Sequence, residues 1–381
     1  MPQRHLGSPK KSVIRPFDGL PQIPVNYDEL SGFSEVWGGD RMDFGQWTIP
    51  WGAFATLPQF QREGAIALML AAILDYAIGD PWTWLHPVQV MGWVIQRYSK
   101  WVLTIWKAPR CQRLAGIELV ILLVGGSGAI ACGLVALGDR IHPVLGWAVQ
   151  GVLLASCLAG RSLRHAAEDV LRPLAAGDLV AARQCLSRYV GRDTEALPEP
   201  EILRAVLETV TENATDGVMA PLFWAIAGGL TPLGVVGGAI AYKAASTLDS
   251  MVGYRDAPYT YIGWASARCD DVLTWLPCRL TVLTIALLSG RPGHVLRVCR
   301  RDAPQDPSPN AGWSECAYAA ALGVQVGGLN LYRGLPKPKP LLGNPDHPIT
   351  PAIIRRAMAL TRTTFLLWLG LAVGLILIAG G

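Results

Sequence analysis

The chain has 381 residues, of which 51% are hydrophobic and only 16% charged, with 41 Gly, 28 Pro and 14 Trp against 7 Phe. Water-soluble domains carry about 25% charge, so this composition points to a membrane protein and excludes a disordered one. A net charge of +4 is too small to point to nucleic acid. Eight cysteines occur without a C-x-x-C pair, which argues against a zinc site or a disulfide framework.

Residues 1–63 are rich in Pro, Gly, aromatics and mixed charge and hold no apolar run. They read as a poorly structured N-terminal extension ahead of a membrane domain over 64–381. The first apolar segment is Ala65–Ile78. Gly116–Gly138 and Pro143–Gly160 follow, joined by a tight Asp139-Arg140-Ile141-His142 connection, and Thr364–Gly380 closes the chain. Val218–Ala241 is interrupted by Gly228-Gly229 and Pro232, so it reads either as one span or as a re-entrant pair of half-helices. Val272–Gly290 carries Pro277 and Arg279 near its start, which suits a helix partly at the interface. The expected fold is all-α: a polytopic integral membrane protein of four to six transmembrane helices with cytoplasm-facing amphipathic helices.

Charge lies between these segments. Residues 97–113 hold five Lys/Arg and mark a cytoplasmic loop. From Arg291 to Arg362 there are ten Lys/Arg against four Asp/Glu. That surplus suits anionic lipid headgroups, or alternatively a landing surface for anionic substrates. Residues 161–217 look soluble. Gly177-Asp178 opens one amphipathic helix through Tyr189, and Pro200 is placed to start another. A short string, GD…HPV…GW, occurs at 79–93 and again at 138–147; it is too short for a duplication and reads as chance or as a recurring end-of-span turn.

Four constellations could carry chemistry. At 100° per residue, Glu208, Glu212 and Asp216 share one helix stripe opposite Ile202, Leu203, Val206, Leu207 and Val210. Carboxylates beside Asn213 suit a hard cation such as Mg²⁺, which prefers oxygen ligands and brings phosphate with it; the plain alternative is a solvated polar face. Lys243 is the only lysine between Lys107 and Lys337, with Thr247, Asp249 and Arg255 close behind. It suits a phosphate partner or a snorkelling span end. The Arg268…Asp270-Asp271…Arg279 group can bind metal, supply a base, or salt-bridge to Arg268. Residues 308–315 form a turn into a helix of small residues expected over Ala317–Gly328, whose face allows close approach of a flat ligand or another helix. His86 before Pro87 reads as a turn residue and is also placed among the substrate-binding candidates. P-loop, G-x-S-x-G and H-E-x-x-H motifs are absent from the sequence.

Together the strings LDYAIGDP (74–81), HPVQVMGW (86–93), ENATDGVMAPLFW (212–224), YKAASTLDSMVGYRDAPY (242–259), GWASARCDDVLTWLPCRLT (263–281), SPNAGWSE (308–315) and GVQVGGLNLYRG (323–334) resemble one family over about residues 66–335. It is the adenosylcobinamide-phosphate synthases, the CobD/CbiB proteins of cobalamin biosynthesis. The N-terminal extension departs from the family pattern.

The resemblance implies a multi-pass enzyme of the inner or plasma membrane. It would join adenosylcobyric acid to (R)-1-amino-2-propanol or its O-phosphate by an amide bond, consuming ATP with Mg²⁺. Its partners would be the corrinoid, the amine, membrane lipid and other membrane-associated enzymes of cobalamin assembly, with no nucleic acid. A carboxylate must be activated before an amine can attack it, and phosphoryl transfer needs a metal clamp and fixed positive charge. On that basis Glu208, Glu212 and Asp216 are assigned to metal, and Lys243 and Arg255 to phosphate. Asp249 or Asp271 would take the proton of the incoming ammonium, while Asn213, Ser308, Asn310 and Glu315 would orient substrate. The rivals are a non-enzymatic signalling protein of the same superfamily, similar to the ampicillin-resistance signalling proteins, a Mg²⁺-dependent lipid transferase, and a transporter.

Overall fold

The structure, a computed structural model, describes residues 57–79 and 86–379. Residues 1–56 of the expected extension and the Asp80-Pro81 turn lie outside them. In chain order the helices are α1 (Leu57–Ala77), α2 (Pro87–Ile105), α3 (Pro109–Val120), α4 (Gly126–Ile141), α5 (Pro143–Ala155), α6 (Gly160–Ala175), α7 (Leu179–Ser187), α8 (Glu199–Ala214) and α9 (Ala220–Gly229). Then come α10 (Gly234–Val252), α11 (Trp264–Leu288), α12 (Pro292–Asp302), α13 (Ala311–Leu322), a hairpin of β1 (Gln325–Tyr332) and β2 (Leu335–Gly343), and α14 (Pro351–Ala379). Helix α1 begins inside the segment expected to be unstructured. The fold is that of an all-α polytopic membrane protein with one small hairpin.

Among the described residues, four helical stretches are long and apolar enough to cross a membrane: Pro109–Ile141, Pro143–Ala175, Trp264–Leu288 and Pro351–Gly374. This is the lower end of the expected range, because two apolar runs are too short. The apolar part of α1 starts at Ala65 and yields only about 20 Å of helix at 1.5 Å per residue, against about 30 Å of hydrocarbon. The apolar α9 has 10 residues and continues the more polar helix α8.

The interrupted run at 218–241 is a helical hairpin, α9 turning through Leu230–Leu233 into α10. Glycine allows the two helices to touch backbone to backbone. A Cβ on Gly238 would sit 2.1 Å from the Trp224 carbonyl oxygen and 3.0 Å from the Gly228 Cα.

The recurring HPV string is a cap. His86 and His142 each accept a hydrogen bond at Nδ1 from the backbone N–H two residues on, Val88 and Val144, both at 3.2 Å. Asp178 caps α7 through Ala181 N–H at 2.8 Å, and Pro200 lies in the first turn of α8, as expected. The helix expected over Ala317–Gly328 stops at Leu322. The residues from Gln325, with Val326 and the alternating Leu329, Asn330 and Leu331, pair as a strand instead.

Two cores result. One joins α6, α7, α8, α12, α13, the hairpin and the distal part of α11, and we call it the head. The other joins α1, α2, α3, α4, α5, α9 and α10, with apolar side chains such as Ile73, Ile121, Ile130 and Ile141 exposed on its outside. Helices α11 and α14 pack against both.

Candidate active site

The helix from α8 into α9 is continuous through a π turn at Thr215–Met219. The extra residue in such a turn rotates everything after it, and π turns inside helices concentrate at functional sites. Here it falls at the end of the expected carboxylate stripe, at Asp216. Glu208 and Glu212 face α13 and the hairpin, whereas Asp216 lies near Cys278 on α11. The Gly217 carbonyl in this turn accepts the Ala159 N–H at 2.9 Å, which ties the start of α6 to the site.

Glu208, expected among the metal ligands, is engaged by cationic side chains and backbone in the structure. It is 1% exposed, and one carboxylate oxygen pairs with Arg192. The other accepts from Arg204 Nη1 at 2.8 Å and from the Gly327 backbone N–H at 2.8 Å. Burial opposes its charge, but the Arg192 guanidinium, the Lys339 ammonium and the Arg204 guanidinium outweigh it and hold its pKa down to about 2. Arg192 and Arg204 also donate to Asn330 Oδ1 at 2.8 and 2.9 Å. Both carboxylate oxygens are therefore engaged by these groups, and at Glu208 the stripe is not a solvated face. It is one side of a buried ion network.

Glu212 and Glu315 stand together beside that network. Ser314 Oγ donates to the Thr211 carbonyl at 2.6 Å and bonds Thr215 Oγ1 at 2.7 Å, locking α13 onto α8 next to both glutamates. Lys339 Nζ lies 2.7 Å from each Glu315 oxygen. Burial lowers the Lys339 pKa, but Glu315, Glu208 and Glu212 more than reverse this and raise it, so the ammonium is retained. Among the described residues, no three His, Cys, Asp or Glu side chains converge as a metal-binding group. Mg²⁺ needs only one or two carboxylates when phosphate oxygens complete its shell, and Glu212 and Asp216 have the oxygen chemistry for that.

The remaining candidates fall into two further places. Ser308 Oγ accepts from Ala311 N–H at 3.1 Å and opens α13. Asn310 is buried and donates from Nδ2 to the Asp271 carbonyl at 2.9 Å. Arg279 donates to the Pro309 carbonyl at 3.0 Å and stacks 4.3 Å over the Trp313 ring. The 308–310 turn is thereby fastened to α11. Asp271 is half-buried, 3.8 Å from Arg268, whereas its neighbour Asp270 is buried. Asn213 is half-buried and bonds back to the Thr209 carbonyl at 2.8 Å. On α10, Lys243 is half-buried and Asp249 buried, with Arg255 just beyond the helix end. There burial, together with the charge of Asp249, pushes the Tyr254 phenol up to about 12. Glu212 and Glu315 are thus brought together, Asp216 joins the α11 side, and Lys243, Asp249 and Arg255 form a separate group on and just past α10.

Lys339, Arg192, Arg204 and Asn330 were not singled out from sequence. Arg204 was readable: it stands four residues before Glu208 on the same stripe, the spacing of a helical ion pair. Lys339 was hidden because its partner is 24 residues away on another element.

The CobD/Cbib protein family model matches residues 68–361. The chain is similar to "Cobalamin biosynthesis protein CobD" of Synechocystis sp., with 51% identity over 324 residues, 84% of this chain and 95% of the relative. It is similar to "Cobalamin biosynthesis protein CbiB" of Salmonella typhimurium, with 43% identity over 77% of this chain and 92% of the relative. A third relative, "Cobalamin biosynthesis protein CobD" of Halalkalibacterium halodurans, is 41% identical over 83% of this chain and 96% of its own length. No solved structure matches.

Proposed function

Given that the chain belongs to the CobD/CbiB family, we infer that it acts in cobalamin biosynthesis as an amide ligase. In this reading it joins the free carboxylate of adenosylcobyric acid to (R)-1-amino-2-propanol or its O-phosphate, with ATP as the energy-supplying substrate. The observation that carries the reading is the buried group of Glu212, Glu315 and Lys339, packed against a π turn that presents Asp216. A net-neutral hydrophobic core has no use for such a group, since burying charges costs more than packing apolar side chains of equal volume.

Mg²⁺, when bound, would supply charge compensation for the transferring phosphoryl group. Glu212 and Asp216 are the carboxylates proposed to hold it. Lys243 and Arg255 are proposed to meet phosphate oxygens, and Asp249 or Asp271 to accept the proton that the ammonium must lose before its nitrogen can attack. Asn213, Ser308, Asn310, Glu315 and His86 would shape the substrate site. The capping bonds of Ser308 and His86 support an orienting role through the backbone they fix.

The test is complementation of a strain defective in corrinoid amidation, scored for cobinamide or its phosphate. Formation of the amide from cobyric acid, with either amine form, is the expected result. A membrane-inserted protein that restores no amide with either would overturn the reading.

A further inference from the structure

The β-hairpin is amphipathic the wrong way round for a hydrophobic stabiliser. Side chains alternate across a strand, and here the face turned inward carries Asn330, which is buried, together with Lys337 and Lys339. The outward face carries Leu329 and Leu331 opposite Pro338 and Pro336, with Leu329 63% exposed. A slip of one residue would bury the leucines and expose the lysines. Beyond the apolar base, where Val326 and Leu342 pair and are buried, the observed register instead buries the polar side, so something besides apolar burial fixes that part of it.

That something is a set of polar fixings at three places along the hairpin. Asp193 accepts from the Arg333 and Gly334 N–H groups at 2.9 and 2.7 Å and holds the turn. Glu208 accepts from Gly327 N–H and holds the bulge between Val326 and Gly328. Gly327 has φ 93°, and a Cβ there would meet the Pro340 carbonyl oxygen at 1.9 Å, so only glycine forms this bulge. Asp302 accepts from Gly343 N–H at 3.0 Å and holds the base. Pro336, Pro338 and Pro340 keep β2 extended on either side of the lysines. The register that results puts Lys339 opposite Gly328, next to the bulge on Glu208, and its partner Glu315 follows Ser314, which is bonded to Thr211 and Thr215 on either side of Glu212.

We propose that Lys339 is a positioning residue of the reaction site: anchored on both oxygens of the fully buried Glu315, its ammonium sets the place of the Glu212 carboxylate. Glu315 is the anchor rather than the reacting group, because both its oxygens face Lys339 and none of the residue is exposed. The hairpin is then a delivery element that carries one cation to α8. This inference rests on the ligase reading above and deepens it.

The test is steady-state kinetics of amide formation by the full-length protein in membranes. Wild-type turnover is measured first, so that absence of the ligase reaction is distinguished from failure of this proposal. Lys339→Met is expected to lower kcat about 100-fold, the scale of a misplaced catalytic group, with KM for both substrates within about threefold. Lys339→Arg is expected to recover most of the loss. In a Glu212→Gln background, Lys339→Met is expected to add nothing, because it acts through Glu212. The exchanged pair Lys339→Glu with Glu315→Lys keeps an ion pair across the same gap and is expected to stay inactive. Wild-type kcat in Lys339→Met, full additivity with Glu212→Gln, or full activity in the exchanged pair would each overturn the proposal, the last by showing that the pair is only a structural bridge.

Discussion

The two halves of the molecule solve opposite problems. The membrane-facing half, from α1 to α5 with the α9–α10 hairpin, puts large apolar side chains such as Ile121, Ile130 and Ile141 on its outside, buries leucine, isoleucine, valine and alanine within, and uses glycine where α9 and α10 touch backbone to backbone. The head keeps leucine, valine and alanine inside in the ordinary way. Through its middle, however, it runs a buried seam of Arg192, Arg204, Glu208, Glu315, Lys339 and Asn330. One half is held by close backbone approach, where lipid offers no hydrophobic drive between helices. The other is held by apolar burial and spends part of its interior on charge. The difference is the ground for proposing that the carboxylates of the reaction lie in the head, with Lys243, Asp249 and Arg255 of α10 and its end at the border with the other half.

The comparison breaks most completely at Gly238. Any Cβ there meets the Trp224 carbonyl oxygen, so Gly238→Leu is expected to separate α9 from α10 and abolish the folded form. Limited proteolysis in detergent should show loss of the protected core, and a wild-type digestion pattern would contradict the close-packing account.

In the head the matching change is Glu208→Ala. It leaves two buried guanidinium groups without their carboxylate, which costs about 3–5 kcal/mol for a buried pair, and denaturant unfolding of the head should report it. The pH dependence sharpens the point. Because the Glu208 pKa is depressed from 4.5 to about 2, its contribution is complete above about pH 4.5 and is lost as pH falls toward 2. The stability gap between wild type and Glu208→Gln is therefore expected to narrow over that window. A gap that is constant with pH would show that the carboxylate charge contributes nothing.

A smaller effect tests how the halves sit in the bilayer. The chain passes down α8 and α9 to the Leu230–Leu233 turn and returns along α10. Single cysteines at Glu199 and Ser250, in a protein whose native cysteines are replaced, are thus expected to label from the same side of the membrane. Labelling from opposite sides would refute a re-entrant hairpin.

Much of this was legible in the chain. The spans, the broken run at 218–241 and the starts of α7 and α8 are all local signals, carried by residues within one or two turns of each other. The ion network is not local. Glu208 looked like a metal ligand because helix periodicity places it with Glu212 and Asp216, but it ignores a π turn, and it says nothing of Arg192 or Gly327, which meet Glu208 through tertiary packing. Glu315 was found from its motif, yet its partner Lys339 was not. A strand that buries lysine and exposes leucine runs against the patterning by which strands are recognised.

The central claim is that the head's carboxylate cluster, centred on Glu212, is the reaction site. The most direct measurement is amide formation by the membrane-embedded Glu212→Gln variant, supplied with ATP, Mg²⁺, adenosylcobyric acid and the amine, against wild type at equal inserted protein. The account predicts turnover reduced by about 100-fold or more with insertion and head stability kept. Turnover within a fewfold of wild type would contradict it.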